Sequence, residues 1–311
     1  MVFVNPRRLI LAAKQHNYPQ RLRARTEGVR LTCIHVITPP ALLPMSNHPH
    51  AETVLLEGPD AKAFAHAQFS SKVDSLVTGR WQFSTWLDPQ GRVRAFFHLA
   101  RLGDERYLLV LRGGDAVTLV TALQRFVFRS KVRVTAMASR VLATAPAIPL
   151  NEIRQEQDML VLGCDDHSLK ISANGIADDA WRLPQLQAGW PWLTPTTLGK
   201  FLPAALSLQR LDAVAVDKGC YPGQEIVARL HFRGGHKRHL HRGRLSQAAD
   251  NGEALVSEGH EVGRLLNVIA NEHGNEALFV LNDDIAEQLH AGISVTFDNK
   301  LVIEINMSWP A

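Results

Sequence analysis

Cysteine is scarce in this chain. Cys33, Cys164 and Cys220 are the only three in 311 residues. The number is odd and the spacing wide, which excludes a disulfide framework and any C-x-x-C metal or redox pair and fits a reducing compartment. Long apolar runs are also missing. None approaches the ~20 residues that a membrane-spanning helix needs, so no membrane association is expected. No internal repeat or low-complexity tract is present. Acidic residues are unevenly spread. Residues 1–44 hold one, Glu27, and none occurs from Ile226 to Ala249.

What remains is a globular composition. Hydrophobic residues make up 46% and charged residues 21%, ordinary values for a chain that buries a large core in two or three domains. The formal net charge of +4 misleads. Of 34 Lys and Arg and 30 Asp and Glu, seven bases and one acid fall in 1–44, so the rest carries 27 against 29, a net of −2. The basic character belongs to the N-terminal stretch and gives no reason to expect direct nucleic-acid binding by the body. The stretch 1–44 is Arg-rich and acid-poor, like a transit peptide or basic arm. Alternatively, Met45-Ser46 marks the natural start and 1–44 precedes it. In either case 1–44 is expected to lie outside the packed body.

From Thr53 the pattern is regular. Thr53–Leu56 reads as a buried strand, Asp60 as the cap of a helix to about Phe69, and Trp81–Leu87 as an alternating strand. Asp88-Pro89-Gln90-Gly91 is a turn. The return strand places Val93, Ala95, Phe97 and Leu99 on one face, and Tyr107–Leu111 is another strand. Asp115 caps a helix with Val117, Val120, Leu123 and Phe126 or Val127 inward, and Val132 and Val134 begin a further strand. This is an α+β pattern with antiparallel pairing. From about 140 to 217 only Met159–Leu162 reads as a strand. Trp181, Trp190 and Trp192 fall within 12 residues, either lining a pocket for a flat heteroaromatic or filling core. Towards the C-terminus, Val262–Ala270, Ala277–Leu281, 293–297 and Leu301–Ile305 alternate between Gly and Asn/Asp turns, the pattern of a small antiparallel barrel.

The densest chemistry lies in Lys218-Gly219-Cys220-Tyr221-Pro222-Gly223-Gln224-Glu225. Tyr221–Gln224 reads as a tight turn, with proline at the first corner and glycine at the second. After it, Ile226, Val227 and Leu230 suit a helix, while Ile226, Ala228, Leu230 and Phe232 also alternate as in a strand. A thiol before a helix N-terminus and two residues after Lys218 has reason to ionise more easily than a free cysteine. The plainer reading is a small buried hydrophobe beside a turn. Beyond it, Arg229, Arg233, Lys237, Arg238, Arg242 and Arg244 interleave with His231, His236, His239 and His241. That set suits an anionic ligand better than a metal, because no carboxylate or cysteine lies near in sequence.

The eight-residue run, with Ile226-Val227-Ala228-Arg229, Phe232-Arg233-Gly234 and Lys237-Arg238, resembles the signature of the YgfZ-type folate-binding proteins. These are relatives of the glycine-cleavage T-protein, an aminomethyltransferase. Weaker similarity extends from about Thr53 to the C-terminus, and residues 1–44 lie outside it. The resemblance implies two α+β modules within 45–235 and a C-terminal β-barrel over 236–311, arranged around a central folate channel. It implies tetrahydrofolate or another folate as cofactor, with Trp181, Gln187, Tyr221, Gln224, Glu225 and Arg229 as binding residues. It also implies a functional thiol at Cys220 with Lys218 beside it, and no metal. A second family tryptophan would fall near Ala51 and is absent. Gln187 stands where T-proteins carry a pterin-gripping glutamate.

The implied role is that of a monomeric accessory factor whose partners are iron–sulfur enzymes or assembly proteins, and which supports tRNA modification through them. It would act in the cytoplasm, or in the mitochondrial matrix if 1–44 is a transit peptide. The alternatives are a folate-dependent aminomethyltransferase and an RNA-binding module. Aminomethyl transfer resembles a reaction needing an acid near folate. The corresponding positions, Arg94 and Ala95, supply none, so T-protein-like activity is not expected.

Overall fold

The computed structural model describes residues 50–293, 295 and 297–310. The reading of 1–44 as an extension, and Cys33 with it, lies outside these residues. Strands β1 (His50–Ala51) and β2 (Thr53–Glu57) open the described chain, followed by helix α1 (Ala61–Gln68). Next come β3 (Arg80–Leu87), β4 (Val93–Gly103), β5 (Arg106–Leu111), α2 (Ala116–Gln124) and β6 (Arg133–Ala136). These strands form one antiparallel sheet in the order β3-β4-β5-β2-β6.

Alternation decides which way each strand faces. Phe97, Leu99, Leu109 and Leu56 meet α1 and α2 in one apolar cluster. Trp81, Phe83, Phe96 and Val110 point to the opposite side and join the largest core. The sheet is therefore buried on both faces. Val93 departs from the expected shared face with Ala95. The β3–β4 register shifts, pairing Trp86 with Ala95 but Leu87 with Val93. This bulge at Arg94 turns Val93 to the other side. The turn before it forms as expected, with Gly91 N donating to Asp88 O at 2.8 Å.

Two helix starts are capped differently. The Asp115 carboxylate accepts from Thr118 N at 2.7 Å, an N-cap of the expected kind. Asp60 precedes α1 but makes no cap bond. Its carboxylate instead accepts Lys131 N at 2.6 Å, tying the helix entry to the lead-in of β6. On α2 the buried positions are Ala116, Leu119, Val120 and Leu123. Val117 and Phe126, expected inward, are exposed.

A second antiparallel sheet holds β1, β7 (Arg140–Ala145), β10 (Ser168–Ser172), β9 (Met159–Gly163) and β8 (Ile153–Glu156), in that order. Helix α3 (Arg182–Gln187) follows it, and two short 3-10 turns at Pro203–Leu206 and Leu208–Leu211 lead to helix α4 (Gln224–Arg233). The third sheet contains β11 (Arg238–Leu245), β12 (Ala254–Ser257), β13 (His260–Asn271), β14 (Gly274–Asn282) and β15 (Ile303–Ser308). Helix α5 (Asp283–His290) runs between β14 and β15.

The order of that sheet, β12-β13-β14-β11-β15, is open. The expected barrel is not closed among the described residues. Its end strands β12 and β15 do not pair, and no strand is described at 293–297. Contact between the two ends passes instead through the connecting loop, where Asp298 N donates to Val256 O at 2.9 Å. The architecture is α+β, with five helices and three antiparallel sheets among the described residues. None of these helices is long and apolar enough to cross a membrane.

Candidate functional site

The run from Lys218 to Glu225 folds as a turn followed by a helix. Gln224 N donates to Tyr221 O at 3.2 Å. Gly223 takes the left-handed conformation at φ +78° and serves as the N-cap of α4, so the helical alternative is the one adopted. Helix α4 places Glu225 in its first turn and His231 and Arg233 in its last, each sign complementing the helix dipole. Glu225 and Arg229 are exposed.

Lys218 does not serve the thiol. Its Nζ donates to the carbonyls of His66 at 2.6 Å, Phe69 at 2.6 Å and Ser71 at 2.9 Å. An ammonium has three N–H groups, and all three are engaged at the end of α1. The amine also sits 5.1 Å from the centre of the Tyr221 ring. Burial pushes Lys218 down to about 8. The three carbonyls oppose that shift, since only the charged form donates to all of them. Tyr221 is buried and its hydroxyl donates to Ala215 O at 2.8 Å. The same burial raises its phenol pKa. Gln224 Nε2 closes the knot on Lys218 O at 3.1 Å. Lys218, Tyr221 and Gln224 thus hold the loop together. Cys220 stands out from it, exposed, three positions before the N-cap rather than at it.

Trp181 caps the start of α3 and Gln187 is its last residue, and neither makes a described contact with this loop. The Trp181 ring lies in the core, 3% exposed, tilted against Trp192 at 5.0 Å, with its Nε1 donating to Asp178 O at 2.9 Å. Gln187 is exposed. Its Nε2 lies 3.4 and 3.5 Å from the two carboxylate oxygens of Glu276, and its carbonyl accepts Arg242 Nη1 at 3.1 Å.

A cavity of about 570 Å³ opens between β3 and the 209–217 segment. Trp81, Phe83, Gln82 and Arg80 line it from β3, and Asp212 and Asp217 from the facing segment. Lys72 bridges to Asp217 at 2.5 Å. A neighbouring space of about 290 Å³ shares Gln209 and His231 with it and extends to His236 and His239. His236 Nε2 is buried without a partner. None of Trp181, Gln187, Cys220, Tyr221, Gln224, Glu225 and Arg229 lines either space. The loop that carries four of them begins one residue beyond Asp217. The set suits a flat heteroaromatic ligand with an anionic tail. It offers a wall backed by the buried Trp81 and Phe83 rings, amide groups at Gln82 and Asn151, a carboxylate at Asp212 for an amino-pyrimidine edge, and a cation at Arg80. Among the described residues no three His, Cys, Asp or Glu side chains are placed to hold a metal ion.

One polar centre escaped the sequence reading. Arg112 is 1% exposed. Its guanidinium donates to Pro191 O at 3.0 Å, Gln185 Oε1 at 2.7 Å and Trp190 O at 2.8 Å. It lies 5.7 Å from the centre of Phe83 and 5.2 Å from that of Trp192. Among the described residues no carboxylate pairs with it, and burial pushes it down to about 9. His98 stands beside it and is held well below its ordinary value by burial and then by Arg112. Arg112 therefore anchors the 185–191 segment behind the aromatic wall of the cavity. The signal was weak, because an arginine followed by Gly113-Gly114 reads as a strand end at the surface.

No protein-family model matches the chain. An uncharacterized protein of Haemophilus influenzae is 29% identical over 196 residues, covering 60% of this chain and 68% of that protein. The tRNA-modifying protein YgfZ of Serratia proteamaculans is 24% identical over 272 residues, covering 75% of this chain and 82% of its own. Among solved structures, the glycine cleavage system aminomethyltransferase T of Bartonella henselae superposes with a TM-score of 0.61 at 17% identity, covering 81% of each chain. The fold is therefore T-protein-like. Within that class the sequence is similar to the YgfZ-type proteins.

Proposed function

We propose that this protein is a folate-binding accessory factor that supports iron–sulfur enzymes or their assembly proteins and, through them, tRNA modification. The carrying observation is Cys220. It is exposed on a loop that a half-buried lysine, a tyrosine and a glutamine hold by hydrogen bonds. That loop begins where the wall of the 570 Å³ cavity ends. Similarity to proteins named for tRNA modification supports the biological role, and the T-protein-like fold supports folate as ligand.

The cavity on β3 is the channel in this reading. The pterin lies on the wall that Phe83 and Trp81 back, Asp212 meets its amino-pyrimidine edge, and Arg80 takes the glutamate tail, with Lys72 and Asp217 paired beside them. Trp181 and Gln187 then act from behind, through the packing of α3. Folate would supply one-carbon chemistry when bound. The chain's own residues bind and orient it and present the thiol. An aminomethyltransferase reading is disfavoured by Arg94, which is exposed at the β4 bulge, and by the buried Ala95, neither of which is an acid. The protein acts as a monomer in a reducing compartment, the cytoplasm or the mitochondrial matrix.

Tetrahydrofolate titration combined with complementation tests this. Folate is expected to raise the melting temperature by mass action. Cys220→Ser should keep that shift while losing support of iron–sulfur enzyme activity in cells. Absence of any shift at millimolar folate would overturn the ligand, and full complementation by the serine variant would overturn the thiol.

A further inference from the structure

The turn after α2 carries a surface that the folate reading does not use. Phe128 is 88% exposed and Phe126 46% exposed. Phe128 also sits at φ +31°, a region unfavourable for a residue with a Cβ. Burial gives nothing back for that strain, and such unrepaid strain gathers at binding sites. Arg125, Arg129, Lys131 and Arg133 flank the two rings in sequence. All four are exposed, and none is ion-paired among the described residues. The Arg129 guanidinium lies 5.4 Å from the centre of the Phe128 ring. No acid occurs between Ala116 and Asn151. Of the nearby carboxylates, Glu57 pairs with Arg106 at 3.1 Å and Asp60 accepts Lys131 N at 2.6 Å, while the exposed Glu105, whose carbonyl accepts Gly58 N at 3.0 Å, lies on the Gly58 side of the patch. Lys131 and Arg133 border a shallow groove of about 440 Å³ with Gly58 and the Arg106-paired Glu57.

We propose that this surface binds single-stranded RNA, with bases stacked on Phe128 and Phe126 and phosphates held by Arg125, Arg129, Lys131 and Arg133. The proposal rests on the tRNA-modification reading above and adds a direct hold on the nucleic acid. Exposed aromatic rings interleaved with cations that no carboxylate pairs match the two parts of a nucleotide, a π face and an anion. An acidic peptide would use the cations but not the strained, exposed ring. The body's net charge of −2 is an average and does not describe this patch.

The surface is also connected to the thiol loop. The Phe126 ring lies 6.2 Å from Trp86, Trp86 bridges to Phe69 across the sheet edge, and Phe69 O accepts Lys218 Nζ at 2.6 Å. RNA held at Phe128 therefore rests on the module that anchors Cys220.

Fluorescence anisotropy with the full chain tests this, using an unmodified tRNA transcript and a 12-nucleotide oligo(U) between 50 and 200 mM salt. Because 1–44 is itself Arg-rich, the readout is the difference between variants. Phe128→Ala should weaken oligo(U) binding by roughly tenfold or more, the loss of one stacked base, with an unchanged salt slope. The pair Arg129→Gln and Lys131→Gln should weaken binding and flatten the dependence of log K on log salt by about 1.4, two phosphate contacts on a single strand. Both changes are at the surface, so melting temperatures should stay within about 2 °C. Wild-type affinity in both variants would overturn the proposal. So would binding to vesicles rich in phosphatidylglycerol with none to RNA at 50 mM salt. Either result would leave the folate shift and the Cys220→Ser phenotype as separate readings of the proposed function.

Discussion

Burial separates the two described cysteines. Cys164 is 2% exposed, and its thiol is pushed up to about 12, mainly by desolvation. Near neutral pH it holds almost no thiolate, the form that reacts. Cys220 is exposed. Iodoacetamide at pH 7.5, followed by peptide mass spectrometry, should therefore label Cys220 at least about 100-fold faster than Cys164. Similar rates at the two positions would remove the ground for treating Cys220 as the working thiol. Desolvation is the greater cause at Cys164, and the neighbouring Asp166 a lesser one. The partners of Lys218 were not legible, because the carbonyls it bonds lie about 150 positions earlier in the chain. The Arg112 centre was hidden for the same reason, since its acceptors stand more than 70 positions later.

Gly223 shows how two elements fix the loop. At φ +78° it needs the freedom of glycine. A Cβ there would also lie 2.6 Å from Asp88 O and 2.7 Å from Gly91 Cα, so the turn before α4 sits directly against the β3–β4 turn. Gly79 has a similar φ of +80° but open space around it. Gly79→Ala should therefore cost about 1 kcal/mol, the conformational part alone. Gly223→Ala adds backbone collisions and should cost roughly 2–4 kcal/mol, read from urea unfolding midpoints. Equal costs would mean that the two turns separate readily. The Pro-Gly turn was legible because its chemistry is local, as were β2 to β6, where alternation is strong. Strands β1, β7, β8, β10 and β12 were missed. They are short, and Arg140–Ala145 becomes a strand only by pairing with residues 168–172. Helix α5 carried a local signal in Asn282, Asp283 and Asp284, but strand alternation on either side led to the barrel reading.

For the whole molecule, charge is set by where histidines are enclosed. His98, His236 and His241 are all held below their ordinary 6.5 by burial, His241 at about 4. The His241 ring rests against Phe279 and bonds Ser308 Oγ at 2.8 Å, and Ser308 Oγ lies 3.3 Å from His290 Nε2. A histidine whose folded pKa is depressed binds fewer protons in the native state than in the unfolded one. Its contribution is complete above the unfolded value and disappears as pH falls through the folded value. Stability should therefore decline between pH 6.5 and about 4, with His241 responsible for on the order of 2–3 kcal/mol of the loss. Urea unfolding of wild type and His241→Gln at pH 7 and pH 4.5 isolates this term. The variant should begin less stable, having lost its ring packing on Phe279. It should then lose about 2 kcal/mol less than wild type on acidification, with His98 and His236 supplying what dependence remains. If both proteins lose the same stability, the acid sensitivity does not arise at the β11–α5–β15 contact.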